Sequence, residues 1–212
     1  RQKPRRPRLS FQRRRFTGSM KNVFLLLLSL PVFASAQSLE TVIQKGHELA
    51  VIAIAVSPDS NYVASGSRDK SAKLWELNTG REVRSFLGHQ ASVNSLDFSR
   101  DGKYLITGSG DHSTKIWEVA TGKEILTFNL DDSESYNKRY GNNEERINDV
   151  VFDPKGKFFV TLGQMVHVWE FPSLKRIKEW EVEQGNQGAN SLAISNNGDW
   201  LAIGSHDATV LV

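Results

Sequence analysis

The most constraining feature of the sequence is an internal repeat with a period of 42 residues. Four chemically distinctive positions recur at this offset: His47, Ser65, Asp69 and Trp75 are followed by His89, Thr107, Asp111 and Trp117. A fixed period of about 20 to 50 residues predicts an architecture built from stacked structural units. The repeat therefore has to be recognised before any local structure is assigned.

Each complete repeat contains four short segments of β type. In the first repeat they are Val51 to Val56, Tyr62 to Ser65, Ala72 to Leu77 and Glu82 to Phe86. Turn-forming residues separate them, as in Ser57-Pro58-Asp59-Ser60 and Asn78-Thr79-Gly80. Four strands in each repeat predict an all-β fold.

Two weaker units follow the two clear ones. The third contains Ile147 to Phe152 and ends at Trp169-Glu170, and the fourth begins at Asn190 and reaches Asp207. The spacing from Asp69 to Trp75 would place the tryptophan of the fourth unit one residue after Val212. We therefore expect the fourth unit to be truncated.

The ends of the first two units resemble those of the WD-repeat family, which begin near Gly-His and end near Trp-Asp. The matching pairs are Gly46-His47 with Trp75-Glu76 and Gly88-His89 with Trp117-Glu118, with Glu where the family usually has Asp. The resemblance implies a β-propeller of four-stranded antiparallel blades, incomplete, with about four blades and the last truncated. The expected blades are residues 47–87, 89–130, 146–182 and 188–212.

In that family the recurring His, hydroxyl, Asp and Trp of a blade form a buried hydrogen-bonded chain. Burying any one of these polar groups alone costs free energy, and the cost is offset when each group forms a hydrogen bond with the next. The resemblance implies that the two sets of four residues are structural tetrads and not catalytic groups. The third unit keeps Thr161 and Trp169 but lacks the His and Asp, and the fourth has Ile203 at the hydroxyl position. We therefore predict that blades one and two are better fixed than blade three.

Two segments flank these units. Leu39 to Gln44 has the position of a leading outer strand, which in the family closes the ring by joining the last blade. An insertion of about 12 residues, spanning about Asp131 to Glu145, precedes the third unit. By resemblance it lies on the top face, where it is either a recognition loop or a tolerated solvated loop.

The resemblance also indicates where a partner would bind. In the family, contacts on the top face come from the starts of the inner strands. They also come from the residue that precedes the tetrad Asp of each blade. The corresponding residues are Glu48, Arg68, Gln90, Ser92, Glu144, Arg146 and His206. They combine charge and hydrogen-bonding capacity without an apolar centre, which favours a polypeptide partner over a small cofactor. Each could instead be an ordinary solvated surface residue.

The sequence offers little for catalysis. It contains no cysteine, which excludes disulfides, thiolate metal sites and a cysteine nucleophile. It also has no phosphate-binding loop, no Gly-x-Ser-x-Gly elbow and no His-Glu-x-x-His motif. We therefore predict no catalytic residue, no cofactor and no metal site.

The N-terminal region has the pattern of an export signal. Met20-Lys21-Asn22 precedes the apolar run Val23 to Phe33, and small residues lead to a cleavage site between Ala36 and Gln37. The predicted organisation is a basic leader at 1–19, a signal peptide at 20–36 and a propeller at 37–212. With this signal, the chain is similar to exported bacterial WD-repeat proteins and is predicted to be periplasmic or secreted. A retained apolar anchor is the alternative.

The basic charge of the chain is confined to this region. The first 36 residues carry nine basic and no acidic groups, whereas residues 37–212 carry 18 basic and 24 acidic groups, a net charge of −6. A basic arm for nucleic acid or anionic lipid is conceivable, but the export signal directs the chain away from nucleic acid. We predict no nucleic-acid partner, and membrane contact only in transit through the signal peptide.

These features favour a non-catalytic scaffold or recognition module, exported, that presents its top face to a protein or peptide partner or to another domain. The alternative is an accessory propeller of a larger enzyme, a peptidase or other hydrolase, whose catalytic domain lies beyond residue 212. The inference from repeat fold to binding rests on analogy, because one fold hosts many functions.

Overall fold

The computed structural model describes residues 46–129, 146–181, 189–205 and 209–212. The regular structure of these residues is β-strand, arranged in four antiparallel sheets of consecutive strands. The predicted all-β propeller architecture is confirmed, with three sheets of four strands and a fourth of three. No helix in the described ranges is long and apolar enough to cross a membrane.

Each sheet is one blade, and its strands follow chain order from the innermost outward. Blade one consists of β1 (Val51–Val56), β2 (Tyr62–Ser67), β3 (Ser71–Glu76) and β4 (Glu82–Leu87). Blade two consists of β5 (Val93–Phe98), β6 (Tyr104–Ser109), β7 (Ser113–Glu118) and β8 (Glu124–Asn129). Blade three consists of β9 (Asp149–Phe152), β10 (Phe158–Leu162), β11 (Met165–Glu170) and β12 (Arg176–Glu181). Blade four consists of β13 (Ala189–Ile194), β14 (Leu201–Ser205) and β15 (Val210–Leu211).

The turns between the first two strands of a blade are closed by side chains. Ser57 Oγ donates to Asp59 Oδ1 at 2.6 Å and accepts from the backbone N–H of Tyr62 at 2.9 Å. Ser99 and Asp101 repeat the first contact at 2.7 Å. These short polar turns interrupt the apolar segments, which is why the sequence locates the strands well. The predicted end of β2 at Ser65 was wrong by two residues, because pairing with β1 continues to Ser67.

The innermost strands β1, β5, β9 and β13 lie side by side around a central cavity of about 610 Å³. Polar and apolar side chains both line this cavity, among them Ile54, Asn94, Asp97 and Asp149. The apolar core lies between the blades in three clusters, one at each junction of consecutive blades. Stability in this architecture therefore comes mainly from nearest-neighbour blade contacts.

Residue size alternates across these junctions. A Cβ on Gly66 would lie 2.8 Å from Val93 Cγ1, and a Cβ on Gly108 would lie 2.4 Å from Ile147 Cγ2. At the third junction the sizes are reversed, because Leu162 occupies the glycine position and the small Ala189 belongs to the facing strand. Each junction thus pairs one small and one large residue, as close packing requires.

Several predictions fall outside the described residues. They are the leader at 1–19, the signal peptide with its cleavage site between Ala36 and Gln37, the leading strand Leu39 to Gln44, and the insertion Asp131 to Glu145. These remain predictions.

Candidate functional site

Blade one contains a continuous chain of polar side chains. Trp75 Nε1 donates to Ser65 Oγ at 2.7 Å, Ser65 Oγ lies 2.8 Å from His47 Nε2, and His47 Nδ1 lies 2.8 Å from Asp69 Oδ2. Gly46 lets the histidine approach, because a Cβ there would lie 1.8 Å from Trp75 Cη2. The structure thus brings the four residues of the first predicted tetrad into one network.

Blade two repeats this network. Trp117 Nε1 donates to Thr107 Oγ1 at 2.8 Å, Thr107 Oγ1 lies 2.8 Å from His89 Nε2, and His89 Nδ1 lies 3.0 Å from Asp111 Oδ2. Thr107 is fully buried, and His89 is almost so. The hydroxyl sits between an indole that can only donate and an imidazole, so removing it would leave two buried groups without that partner.

The hydrogen-bond directions in each tetrad follow from chemistry. An ionised carboxylate only accepts, so Nδ1 of His47 carries the proton that it donates to Asp69. The hydroxyl of Ser65 accepts from the indole and donates its own proton to Nε2. The tryptophan therefore donates to the hydroxyl, the hydroxyl to the histidine, and the histidine to the carboxylate. Each polar side chain of the series is thus hydrogen-bonded to the next.

The tetrad carboxylates have strongly lowered pKa values. Burial would raise the pKa of Asp69, but hydrogen bonds from the Ser71 hydroxyl, the backbone N–H of Glu48 and His47 outweigh it. Burial likewise opposes ionisation of Asp111, and hydrogen bonds from His89, Ser113 and the Gln90 backbone lower its pKa. Both side chains are therefore ionised acceptors at neutral pH.

These carboxylates also fix the loops that carry the predicted binding residues. We define the top face as the side formed by residues 46–50, 68–70, 90–92 and 110–112. On this side the backbone N–H of Glu48 donates to Asp69 Oδ2 at 2.9 Å, and that of Gln90 donates to Asp111 Oδ2 at 2.6 Å. The side chains of Glu48 and Gln90 are exposed. The tetrads thus hold the backbone of the loops while leaving the side chains accessible.

The other predicted binding residues lie on the same side. Arg68 is exposed and directly precedes Asp69, and its N–H donates to the Ala50 carbonyl at 3.0 Å. A Cβ on Gly110 would lie 3.3 Å from Ser92 Oγ and 3.7 Å from Arg146 Nη2, which places Ser92 and Arg146 beside one turn. The remaining two candidates, Glu144 and His206, lie outside the described residues.

Blades three and four lack a complete tetrad in the structure, as their sequences lack some of its residues. Trp169 Nε1 still donates to Thr161 Oγ1, at 3.1 Å, but β10 and β11 are joined by only two residues and no Asp occupies the turn. In blade four the buried Ile203 stands where blades one and two have a hydroxyl. In blade three His167 is fully buried, with Nδ1 3.5 Å from Glu179 Oε2.

Sequence reasoning missed a second polar network, which joins the inner strands of neighbouring blades. Asn94 Nδ2 donates to the Ile147 carbonyl at 2.8 Å, and Asn148 Nδ2 donates to the Ala189 carbonyl at 2.9 Å. The signal was present in the sequence, because equivalent positions at the start of the inner segments of blades two, three and four all hold asparagine: Asn94, Asn148 and Asn190. The sequence does not show which groups these asparagines bind, since their partners belong to the next blade.

Two carboxylates extend this network along the central cavity. Asp97 Oδ2 accepts from the Phe152 N–H at 2.8 Å, and Asp149 Oδ2 accepts from the Leu192 N–H at 2.6 Å. Burial raises the pKa of Asp97 to about 6, with a smaller contribution from the nearby charge of Asp149, whose own pKa burial also raises. This pair of acids beside the central cavity was not predicted from the sequence. Because backbone donors hold both carboxylates, their geometry is that of blade connectors.

No group of three histidine, aspartate or glutamate side chains that could hold a metal ion occurs in the described part of the chain. The exposed side chains described on the top face, among them Glu48, Arg68 and Arg146, can form hydrogen bonds and ion pairs. A surface with these properties can recognise a polar chain, and its specificity would come from the position of the groups.

Comparison with known proteins identifies the repeat. The family pattern described as "WD domain, G-beta repeat" matches residues 37–76, 80–118 and 177–212, which together are more than half of the chain. The unmatched interval contains most of blade three, where the tetrad is incomplete.

Similarity to individual proteins is local. The chain is 42% identical over 48 residues to a ribosome biogenesis protein BOP1 homolog of Drosophila virilis, and 40% identical over 48 residues to that of Drosophila melanogaster. Each match covers 23% of this chain and 6% of the relative. The chain therefore spans only a small part of the length of these relatives.

Proposed function

Because this chain belongs to the WD40-repeat family, whose propellers are typical protein-interaction scaffolds, we propose that it is an exported, non-catalytic recognition module with a protein or peptide partner. The partner binds on the top face. The observation that carries the proposal is the coupling between each tetrad and a loop with an exposed polar side chain.

This coupling matters because it reduces the cost of binding. A loop that is already ordered loses less conformational entropy when a partner binds. Glu48 and Arg68 supply opposite charges near one tetrad, and Arg146 supplies a further positive charge beside Ser92. Polar side chains on a rigid support favour recognition of an extended polar segment of another protein.

The ribosome biogenesis relatives do not extend this proposal to ribosome assembly. The shared 48 residues are close to the length of one blade, so the similarity supports a common blade structure. A shared partner would require similarity on the top loops of several blades. The export signal in residues 20–36 instead supports a role outside the cytoplasm.

The binding proposal is tested by charge reversal on the top face. Arg68→Glu and Arg146→Glu should each weaken capture of the partner by at least about tenfold, because rim charges steer and orient association. The partner is obtained by crosslinking the exported protein in its own host and identifying the crosslinked peptides. Arg81→Glu, an exposed arginine in the turn before β4, is the matched control. Equal capture by all three variants would contradict the proposal.

The export proposal has its own test, which is independent of binding. N-terminal sequencing of the protein recovered outside the cytoplasm should begin at Gln37, and replacing Ala36 with a large residue should block that cleavage. Recovery of the intact chain from the cytoplasm alone would contradict export and would leave the binding proposal standing.

A further inference from the structure

Three basic side chains lie on or beside the described part of the top face. Arg68 and Lys70 flank the tetrad carboxylate of Asp69, and Arg146 stands at the start of blade three. All three side chains are exposed. Within the described ranges none of the three forms an ion pair. Their positive charges are therefore available to an anion supplied by another molecule.

Basic side chains within the blade sheets are satisfied by the chain itself. Lys73 Nζ lies 2.8 Å from Glu82 Oε2, and Lys115 Nζ lies 3.0 Å from Glu124 Oε2. Acidic groups are plentiful, because residues 37–212 carry 24 of them against 18 basic groups. The absence of ion pairs at the described top-face cations is thus not explained by a shortage of carboxylates.

The carboxylates on the same face are mostly engaged in holding the loops. Asp69 accepts hydrogen bonds from the Ser71 hydroxyl at 2.6 Å and from the Glu48 N–H at 2.9 Å. Asp111 accepts from the Gln90 N–H at 2.6 Å. Among the described top-face residues, three exposed cations therefore stand against one exposed carboxylate, that of Glu48.

The two guanidinium groups occupy comparable places on neighbouring blades. Arg68 precedes the tetrad Asp of blade one, and the same position of blade two is Gly110. Arg146 lies beside this glycine, since its Nη2 would be 3.7 Å from a Cβ on Gly110. Blades one and two thus each have a guanidinium group next to the tetrad turn.

The backbone that carries Arg68 and Lys70 is fixed by hydrogen bonds. The Arg68 N–H donates to the Ala50 carbonyl at 3.0 Å, and the Ser71 N–H donates to Asp69 Oδ1 at 3.0 Å. A side chain on an ordered turn loses less conformational entropy when a partner binds. The fork of N–H donors on a guanidinium matches the two oxygens of a carboxylate.

We propose that the top face recognises an acidic segment of its protein partner, and that two carboxylates of this segment pair with Arg68 and Arg146. The inference rests on the proposed function, because it takes the partner to bind on the top face, and it adds the chemical class of the bound segment. Nucleic acid fits this surface less well, since strong complexes use about 6 to 10 phosphate contacts. The excess of acidic groups in residues 37–212 also opposes long-range attraction of a polyanion.

The test selects peptides from a phage-displayed library of random sequences of about 12 residues on the 212-residue chain. Counter-selection on the double variant Arg68→Gln/Arg146→Gln removes peptides that bind elsewhere, including those held by the basic residues at 1–15. The remaining peptides should contain Asp and Glu at about three times their share in the library or more. Their affinity, measured by fluorescence polarisation, should fall at least about tenfold for each single variant. Arg146→Lys keeps the charge without the fork of donors and should lose less affinity than Arg146→Gln.

The matched control is Arg81→Gln, because Arg81 is exposed and lies at the opposite end of β3 from Lys70. This variant should bind the peptides as the wild type does. Selected peptides that are not enriched in acidic residues, but lose affinity with Arg68→Gln, would overturn this inference and leave top-face recognition standing. Peptides affected by one arginine alone would contradict pairing with both.

Two further outcomes separate the remaining alternatives. A deoxythymidine oligonucleotide whose affinity falls as much as that of the peptides in the double variant would show that these cations recognise phosphates, and would overturn the inference. Failure to select any peptide after counter-selection would contradict both this inference and the proposed recognition function.

Discussion

At the residue scale, the hydroxyl of Thr107 links two other side chains of a complete tetrad. It is fully buried and bridges His89 and Trp117, each at 2.8 Å. Thr161 is also fully buried, but its hydroxyl accepts from a single side chain, Trp169 at 3.1 Å. The two positions offer a matched comparison of a complete and an incomplete tetrad.

Thr107→Val keeps the shape of the side chain and removes this bridge. We expect it to lower the free energy of unfolding by about 2 kcal/mol or more, because two buried polar groups lose their partner. Thr161→Val should cost about 1 kcal/mol, since one donor is affected. Urea denaturation followed by tryptophan fluorescence measures both values. Equal losses would contradict the view that the tetrad acts as a network.

Asp97 gives the stability of the propeller an unusual pH dependence. Its pKa is raised to about 6 from an unfolded value near 3.8. Between these values the folded chain retains a proton that the unfolded chain has lost. The stability contributed by protonated Asp97 is therefore complete below about pH 3.8 and is lost as the pH rises to about 6.

Asp97→Asn removes this titration. Relative to the wild type, the unfolding free energy of the variant should rise by about 2 to 3 kcal/mol between about pH 3.5 and 7, whatever constant offset the substitution introduces. Denaturant titrations at several pH values test this. The control is Asp101→Asn, because the pKa of Asp101 is lowered and the pH trend should have the opposite sign and be smaller. A pH-independent difference for Asp97→Asn would show that this carboxylate does not titrate as proposed.

At the scale of elements, the blade junctions depend on the absence of side chains at specific strand positions. Gly108 of β6 leaves room for Ile147 and Val150, whose methyl groups would lie 2.4 and 2.9 Å from an added Cβ. We expect Gly108→Ala to destabilise the chain by about 1 to 3 kcal/mol through overpacking. Gly110→Ala should cost less, because the nearest atom would be 3.3 Å away and is the side-chain hydroxyl of Ser92, which can move.

A second substitution checks the cause of that loss. Ile147→Ala is itself destabilising, but in combination with Gly108→Ala it should recover part of the cost, because the added methyl group then has space. Thermal unfolding of the four chains of this cycle gives the coupling. Strict additivity would mean that the glycine is required for another reason.

The elements also show what the sequence can and cannot predict. The strands of blade one were located within two residues, since Ser57-Pro58-Asp59 and Asn78-Thr79-Gly80 mark turns whose cause is local. The departure of blade three was visible too, because Gly163-Gln164 shortens one turn. The bonds of Asn94 and Asp97 were not predicted, because their partners are 53 and 55 residues away on another blade. The repeat period shows which positions in different blades are equivalent. It does not show whether a side chain forms hydrogen bonds within its own sheet or with the neighbouring one.

At the scale of the molecule, stability should vary along the series of blades. Blade two combines a complete tetrad with a packed neighbour on each side, whereas blade three has two neighbours and an incomplete tetrad, and blade one leaves a face of β1 exposed. Opening of a region is favoured where fewer apolar contacts are lost.

Hydrogen exchange can measure this gradient. The amides of β6 and β7 should exchange most slowly and those of β1 fastest among the inner strands β1, β5 and β9. Slowest exchange in β10 and β11 would show that packing outweighs the tetrads and would contradict the prediction that blade three is less well fixed.

The reversed size pattern at the third junction has a consequence for folding. Similar repeats risk docking in the wrong order while the chain is incompletely folded, a common failure of repeat proteins. If blade two were to dock in the place of blade four, Leu162 would face the larger Val93 instead of Ala189, which fits. The volume of Leu162 thus favours blade four over blade two as the neighbour of blade three.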